Sequence, residues 1–135
     1  MHSINLMDAY VIETLRSHGV SNETILEETK NKNTEIFQSV KENMDFTTLE
    51  LLEASGNLES ILKDGYQVTF LTSNGLKNLI RMKYGKKADE DFTFNDFVVR
   101  GLEISDDETK ELEALLSQNW NLSKDEDGVK IEPVS

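Results

Sequence analysis

The chain has 135 residues, no cysteine and two histidines, and its 26 acidic against 14 basic residues give a formal charge of −12. This excludes disulfides, thiolate metal sites and cysteine nucleophiles, and leaves little material for a zinc or Ser-His-Asp site. A chain of this length fits one domain and buries roughly two-thirds of its unfolded surface, while its acidity repels DNA and anionic membranes at long range.

The first helix is predicted from Ser3 to His18, where Met7, Tyr10, Val11, Leu15 and His18 recur at three- and four-residue steps. The opening stretch has no continuous apolar core, so it reads as neither a signal peptide nor a membrane span, and the predicted location is cytoplasmic. Gly19 ends the helix, and Ser21 is placed to cap a short second one through Ile25 and Leu26. A third helix is expected to carry Ile36, Phe37, Val40 and Met44 on one face. "FTTLELL" then gives a capping box, with Thr47 as N-cap, Glu50 three residues later and Phe46 stapled on Leu51. At Gly56-Asn57 that helix either breaks and restarts as "NLESILKDG" or continues with a weak point, and Gly65 closes it.

After residue 64 the period changes. "YQVTFL" alternates Tyr66, Val68 and Phe70 against Gln67, Thr69 and Leu71, the pattern of a strand. Ser73 is expected to cap a helix with Leu76, Leu79, Ile80 and Tyr84 inward, stopped by Gly85. "FTFNDFVVRGLEI" reads as a hairpin turning at Asn95-Asp96, with a bulge at Arg100-Gly101. "SDDE" is a second capping box and opens a helix with Leu112, Leu115 and Leu116 inward. Trp120 is expected in the core between that helix and a last hairpin around "KDEDG", whose final strand Pro133 marks as an edge. The predicted fold is a single α+β domain over 1–135. Its helical half, 1–64, packs beside a small, mostly antiparallel sheet with two further helices in 65–135.

Several motifs dissolve on inspection. "SHGVSNETILEET" has the glycine of a helix-turn-helix, but Leu15 stands where a small residue is normal, and the second helix would offer Glu23, Glu27 and Glu28 to phosphates. It reads as an ordinary helical hairpin. "SKDEDGVKIEPV" lacks the twelfth-position carboxylate of a calcium loop and reads as a hairpin turn. No Gly-rich phosphate loop, HExxH or GxSxG is present, so no catalytic residue, cofactor or metal is assigned, and nothing argues for an enzyme.

One segment stands apart. Gly65 to Ala88 contains no Asp or Glu, yet holds Lys77, Arg81, Lys83, Lys86 and Lys87. The predicted helix 74–87 turns its leucines and isoleucine inward, so these five cations are candidate partner-binding residues, expected at the surface. The plain alternative is structural, since cations favour a helix C-terminus and offset an acidic chain. The reading is a small cytosolic non-enzymatic protein, regulatory or interacting, that binds another protein and is possibly a homo-oligomer. A nucleic-acid-binding regulator using helix 74–87 is the alternative, and an enzyme built from scattered carboxylates a weaker one. Lysine outnumbers arginine 11 to 3, a bias of AT-rich bacterial or phage genomes.

Overall fold

The computed structural model describes residues 2–134. The chain divides into two compact units, Met1–Tyr66 and Gln67–Ser135, at the place where the sequence changes period. The architecture is α+β, with helices dominating the first unit and a four-stranded antiparallel sheet with two helices making the second.

In the first unit, β1 (His2–Ile4) leads into α1 (Leu6–Ser17), whose N-cap Asn5 accepts the Asp8 N–H at 2.8 Å. The buried face of α1 is broader than the expected stripe. Ala9, Val11, Ile12 and Leu15 are buried, whereas Met7 and His18 are exposed. His18 instead caps the helix, its Nδ1 lying 2.8 Å from the Thr14 carbonyl. Helix α2 (Asn22–Lys30) starts on Ser21, whose hydroxyl accepts the Thr24 N–H. The expected third helix is a 3-10 turn, Thr34–Ser39. It buries Phe37, leaves Ile36 exposed, and sets the Phe37 ring edge-on to Phe46 at 5.7 Å.

Helices α3 (Thr48–Ala54) and α4 (Leu58–Asp64) are separate, as Gly56-Asn57 requires; Gly56 has φ +80°. Thr47 precedes α3 but makes no side-chain cap. Its hydroxyl and N–H both donate to Asp45 Oδ1, and these bonds hold the Asp45 pKa below its ordinary value. With the cap spent on this turn, Leu49 faces the core and Leu51 is 73% exposed, against the expected staple. Each of the fully buried Ile12, Leu15, Ile25, Leu49, Leu58 and Ile61 contributes about 1.5–3 kcal/mol by leaving water. β2 (Tyr66–Val68) begins on the last residue of this unit.

A buried polar cluster ties the first unit together. Glu13 is 2% exposed; its Oε2 accepts from Arg16 Nη1 at 3.0 Å and from the Tyr66 hydroxyl at 2.7 Å. Arg16 Nη2 and Asn22 Nδ2 both donate to the Leu62 carbonyl, at 2.8 and 3.2 Å. That carbonyl lies in the last turn of α4, where intrahelical donors run out, so two side chains from α1 and α2 satisfy it.

In the second unit the predicted strand over 66–71 stops at Val68. Leu71 is buried and Phe70 is 63% exposed, the reverse of the expected alternation. Helix α5 (Ser73–Tyr84) is followed by β3 (Thr93–Asn95) and β4 (Val98–Leu102), then α6 (Asp106–Leu115), β5 (Trp120–Asp125) and β6 (Gly128–Pro133). The sheet order is β3-β4-β6-β5, all antiparallel. β6 is therefore interior and not an edge strand; Pro133 ends it. Val99, Val129 and Ile131 share the buried face, with Leu112, Leu115 and Leu116 also buried. The β4–β6 register advances three residues on one strand, Val99 to Leu102, for two on the other, Ile131 to Val129. That places the bulge at Arg100-Gly101, where Gly101 has φ +71°, as the sequence predicts. The Ser105–Glu108 capping box forms in both directions, at 3.1 and 2.9 Å.

Candidate functional site

Helix α5 carries the five candidate cations. Thr72, one residue before the predicted cap, accepts the Gly75 N–H at 3.0 Å, and Gly85 closes the helix in the left-handed conformation (φ +68°, ψ +18°). Leu76, Leu79 and Ile80 are fully buried, so the helix has one inner face and its cations are sorted by where they stand around it.

The five are not equivalent. Lys83 contradicts the expectation of a surface position, because its side chain is 6% exposed and its Nζ lies 3.2 Å from Glu111 Oε1 on α6. The same carboxylate oxygen accepts the Tyr84 hydroxyl at 2.8 Å. Lys83 thus joins α5 to α6, and its charge is answered inside the unit. Lys77 is half-buried, with Nζ 5.0 Å from the centroid of the Phe94 ring on β3, a cation–π contact. Arg81, one turn further along α5, is exposed. Lys86 is half-buried and Lys87 exposed; the Lys87 backbone exchanges hydrogen bonds with Asp91, N–H to Oδ2 and C=O to N–H, both at 2.8 Å. Among the described residues the side chains of Arg81, Lys86 and Lys87 make no ion pair. The sequence-predicted island therefore resolves into one structural lysine, one stacked lysine and three open cations.

Local pattern did not reveal the Lys83 pairing, since Glu111 lies on another helix. Two further groups were also illegible: the Glu13–Arg16–Tyr66 cluster, and the Ser117, Asn119 and Trp120 side chains that hold the Leu71 backbone. Glu13 had one signal, since it stands a turn after Ala9 on the same face as Ile12. Both clusters are saturated. Every buried side-chain nitrogen and oxygen among the described residues has a hydrogen-bond partner. No group of three or more His, Asp or Glu among the described residues is placed to hold a metal ion, and no helix there is long and apolar enough to cross a membrane.

Comparison of the chain with protein-family models, with curated proteins and with solved structures gives no match.

Proposed function

We propose that this chain is a non-enzymatic protein-binding module that engages an acidic stretch of another protein through the outer flank of α5, with Lys77 and Arg81 one turn apart and Lys86 and Lys87 at its C-terminal end. The observation that supports this is the split within the island. A chain with 26 carboxylates leaves Arg81, Lys86 and Lys87 without an ion pair among the described residues, while it pairs Lys83 closely. Charges of that kind steer encounter with an oppositely charged surface.

The test reverses the open cations and spares the tied ones, in the triple variant Arg81→Glu, Lys86→Glu, Lys87→Glu. The fold should stay within about 0.5 kcal/mol of the parent, as surface changes do. Proteins retained by the parent in a pull-down from its native host should be lost. A variant that melts early yet keeps those proteins makes the island a structural counterweight and removes the reading.

A further inference from the structure

The sequence has one Asn-Gly pair, Asn74-Gly75, and it lies in the first turn of α5. Asn-Gly is the dipeptide most prone to hydrolytic deamidation, because a residue without a side chain lets its amide nitrogen approach the preceding carboxamide. The Gly75 nitrogen, deprotonated by hydroxide, attacks Asn74 Cγ. The new C–N bond closes a succinimide, and the side-chain nitrogen leaves as ammonia with a proton taken from water. A second water then opens the ring to aspartate or isoaspartate. Asn74 is exposed and open to this chemistry. The Gly75 nitrogen is not. Gly75 is buried, and its N–H donates to the Thr72 hydroxyl at 3.0 Å, while the Thr72 carbonyl accepts the Leu76 N–H at 2.9 Å. A helical ψ of about −42° at Asn74 also turns the Gly75 nitrogen away from Cγ.

The reactive pair and its restraint therefore sit on the same turn, and the end of a helix is where local opening is easiest. We propose that Asn74-Gly75 is a hydrolytic deamidation site gated by the Thr72 cap, and that water modifies it only when the first turn of α5 opens. The product changes the charge of a segment that has no acid from Gly65 to Ala88. Aspartate would stand at the second residue of α5, where the helix dipole favours it, three positions before Lys77. Isoaspartate carries the chain through its side-chain carboxyl, adds a methylene to the backbone and cannot close the turn. Thr72 thus has a role beyond starting α5: it sets the rate at which the acid-free segment acquires a carboxylate.

The test incubates the full chain in mildly alkaline buffer and follows conversion of amide to acid at Asn74 by mass spectrometry of the tryptic peptide 64–77. The native protein should react at least about tenfold more slowly than the chain in urea. Thr72→Ala should speed the native reaction about 2- to 30-fold, the stabilisation of a side-chain cap converted to an opened population. Thr72→Ser, which keeps the hydroxyl, should react at the parent rate. Hydrogen exchange at the Gly75 amide of the parent measures the same opening without any variant. Deamidation should be slowed by at least the factor that exchange is, because both need the Gly75 N–H released. A native rate equal to the rate in urea overturns the inference, and so does a folded Thr72→Ala that reacts no faster than the parent. If Thr72→Ala does not fold, the exchange measurement decides. Deamidation slowed less than exchange would mean that the reaction proceeds without release of the cap, and the proposal falls.

Discussion

Leu71 gives both of its backbone groups to side chains 46 to 49 residues further along the chain. Its N–H donates to Ser117 Oγ at 2.9 Å, and its carbonyl accepts from Asn119 Nδ2 at 3.1 Å and from Trp120 Nε1 at 2.7 Å. Ser117 in turn donates to Asn119 Oδ1, so the hydroxyl is both acceptor and donor. This grip explains why the alternation expected over 66–71 fails after Val68. A peptide group fixed at Leu71 turns that side chain inward and Phe70 outward, and nothing within "YQVTFL" encodes the Ser-Gln-Asn-Trp stretch that does it. Trp120 is buried as expected, and the indole N–H finds its acceptor here. Ser117→Ala keeps the size of the side chain close but leaves the Leu71 N–H buried without an acceptor. The expected loss is about 1–3 kcal/mol, the cost of an unsatisfied buried donor. Urea unfolding with an unchanged m-value checks it, and a loss below about 0.3 kcal/mol would show that water replaces the hydroxyl.

Among the elements, those with local instructions were legible and those with competing partners were not. The Ser105–Glu108 box, the Gly85 stop, the Gly101 bulge and the final hairpin each depend on residues within a few positions, and each forms where the sequence puts it, while at Gly56 the structure takes the break of the two courses the sequence allows. Thr47–Glu50 has the same spacing as Ser105–Glu108, but Thr47 has a helical backbone (φ −68°, ψ −18°) where Ser105 is extended (φ −66°, ψ 166°), so its hydroxyl turns to Asp45 and makes no cap. The hairpin turn sits one residue later than expected, on Asp96-Phe97, because the register Phe94↔Val99 brings two apolar residues to one face. The candidate site was legible as composition and not as geometry. The absence of acids from Gly65 to Ala88 is visible in the sequence, but Lys83 is taken by a carboxylate that chain order keeps remote. Two glycines of the sheet separate conformation from space. Gly101 (φ +71°) has nothing within 4 Å of an added Cβ, so Gly101→Ala carries only left-handed strain, roughly 1 kcal/mol. Gly128 (φ +132°) would put a Cβ 2.7 Å from the Leu102 carbonyl oxygen across the β4–β6 ladder. Gly128→Ala should therefore cost more than about 2 kcal/mol, combining strain with a backbone clash. Denaturation midpoints of the two variants decide it, and equal losses would mean that the ladder yields at this point.

At the scale of the whole molecule, charge bears on stability and, under the proposed function, on association with the opposite sign. The chain carries 26 acids against 14 bases. The ion pairs that draw on this excess are few and mostly at the surface. Glu59–Lys63 at 2.7 Å and Asp106–Lys124 at 2.9 Å are two of them, and in each the lysine's hydrogen bond and charge hold the carboxyl below its ordinary pKa. Exposed pairs of this kind contribute little, so repulsion among the remaining carboxylates dominates the field. The screening length falls from about 30 Å at 0.01 M salt to about 8 Å at 0.15 M. Raising sodium chloride over that range should therefore increase Tm, because repulsion is long-ranged and screened first. The proposed contact of the α5 cations with an acidic partner would be attractive and should weaken over the same range, which the pull-down repeated at both salt concentrations follows directly. The two slopes have to differ in sign. A Tm that falls with salt would mean that attraction among this chain's own charges outweighs repulsion. In that case the cations of α5 are internal counterions, and the open flank at Arg81, Lys86 and Lys87 loses its reason to seek a partner.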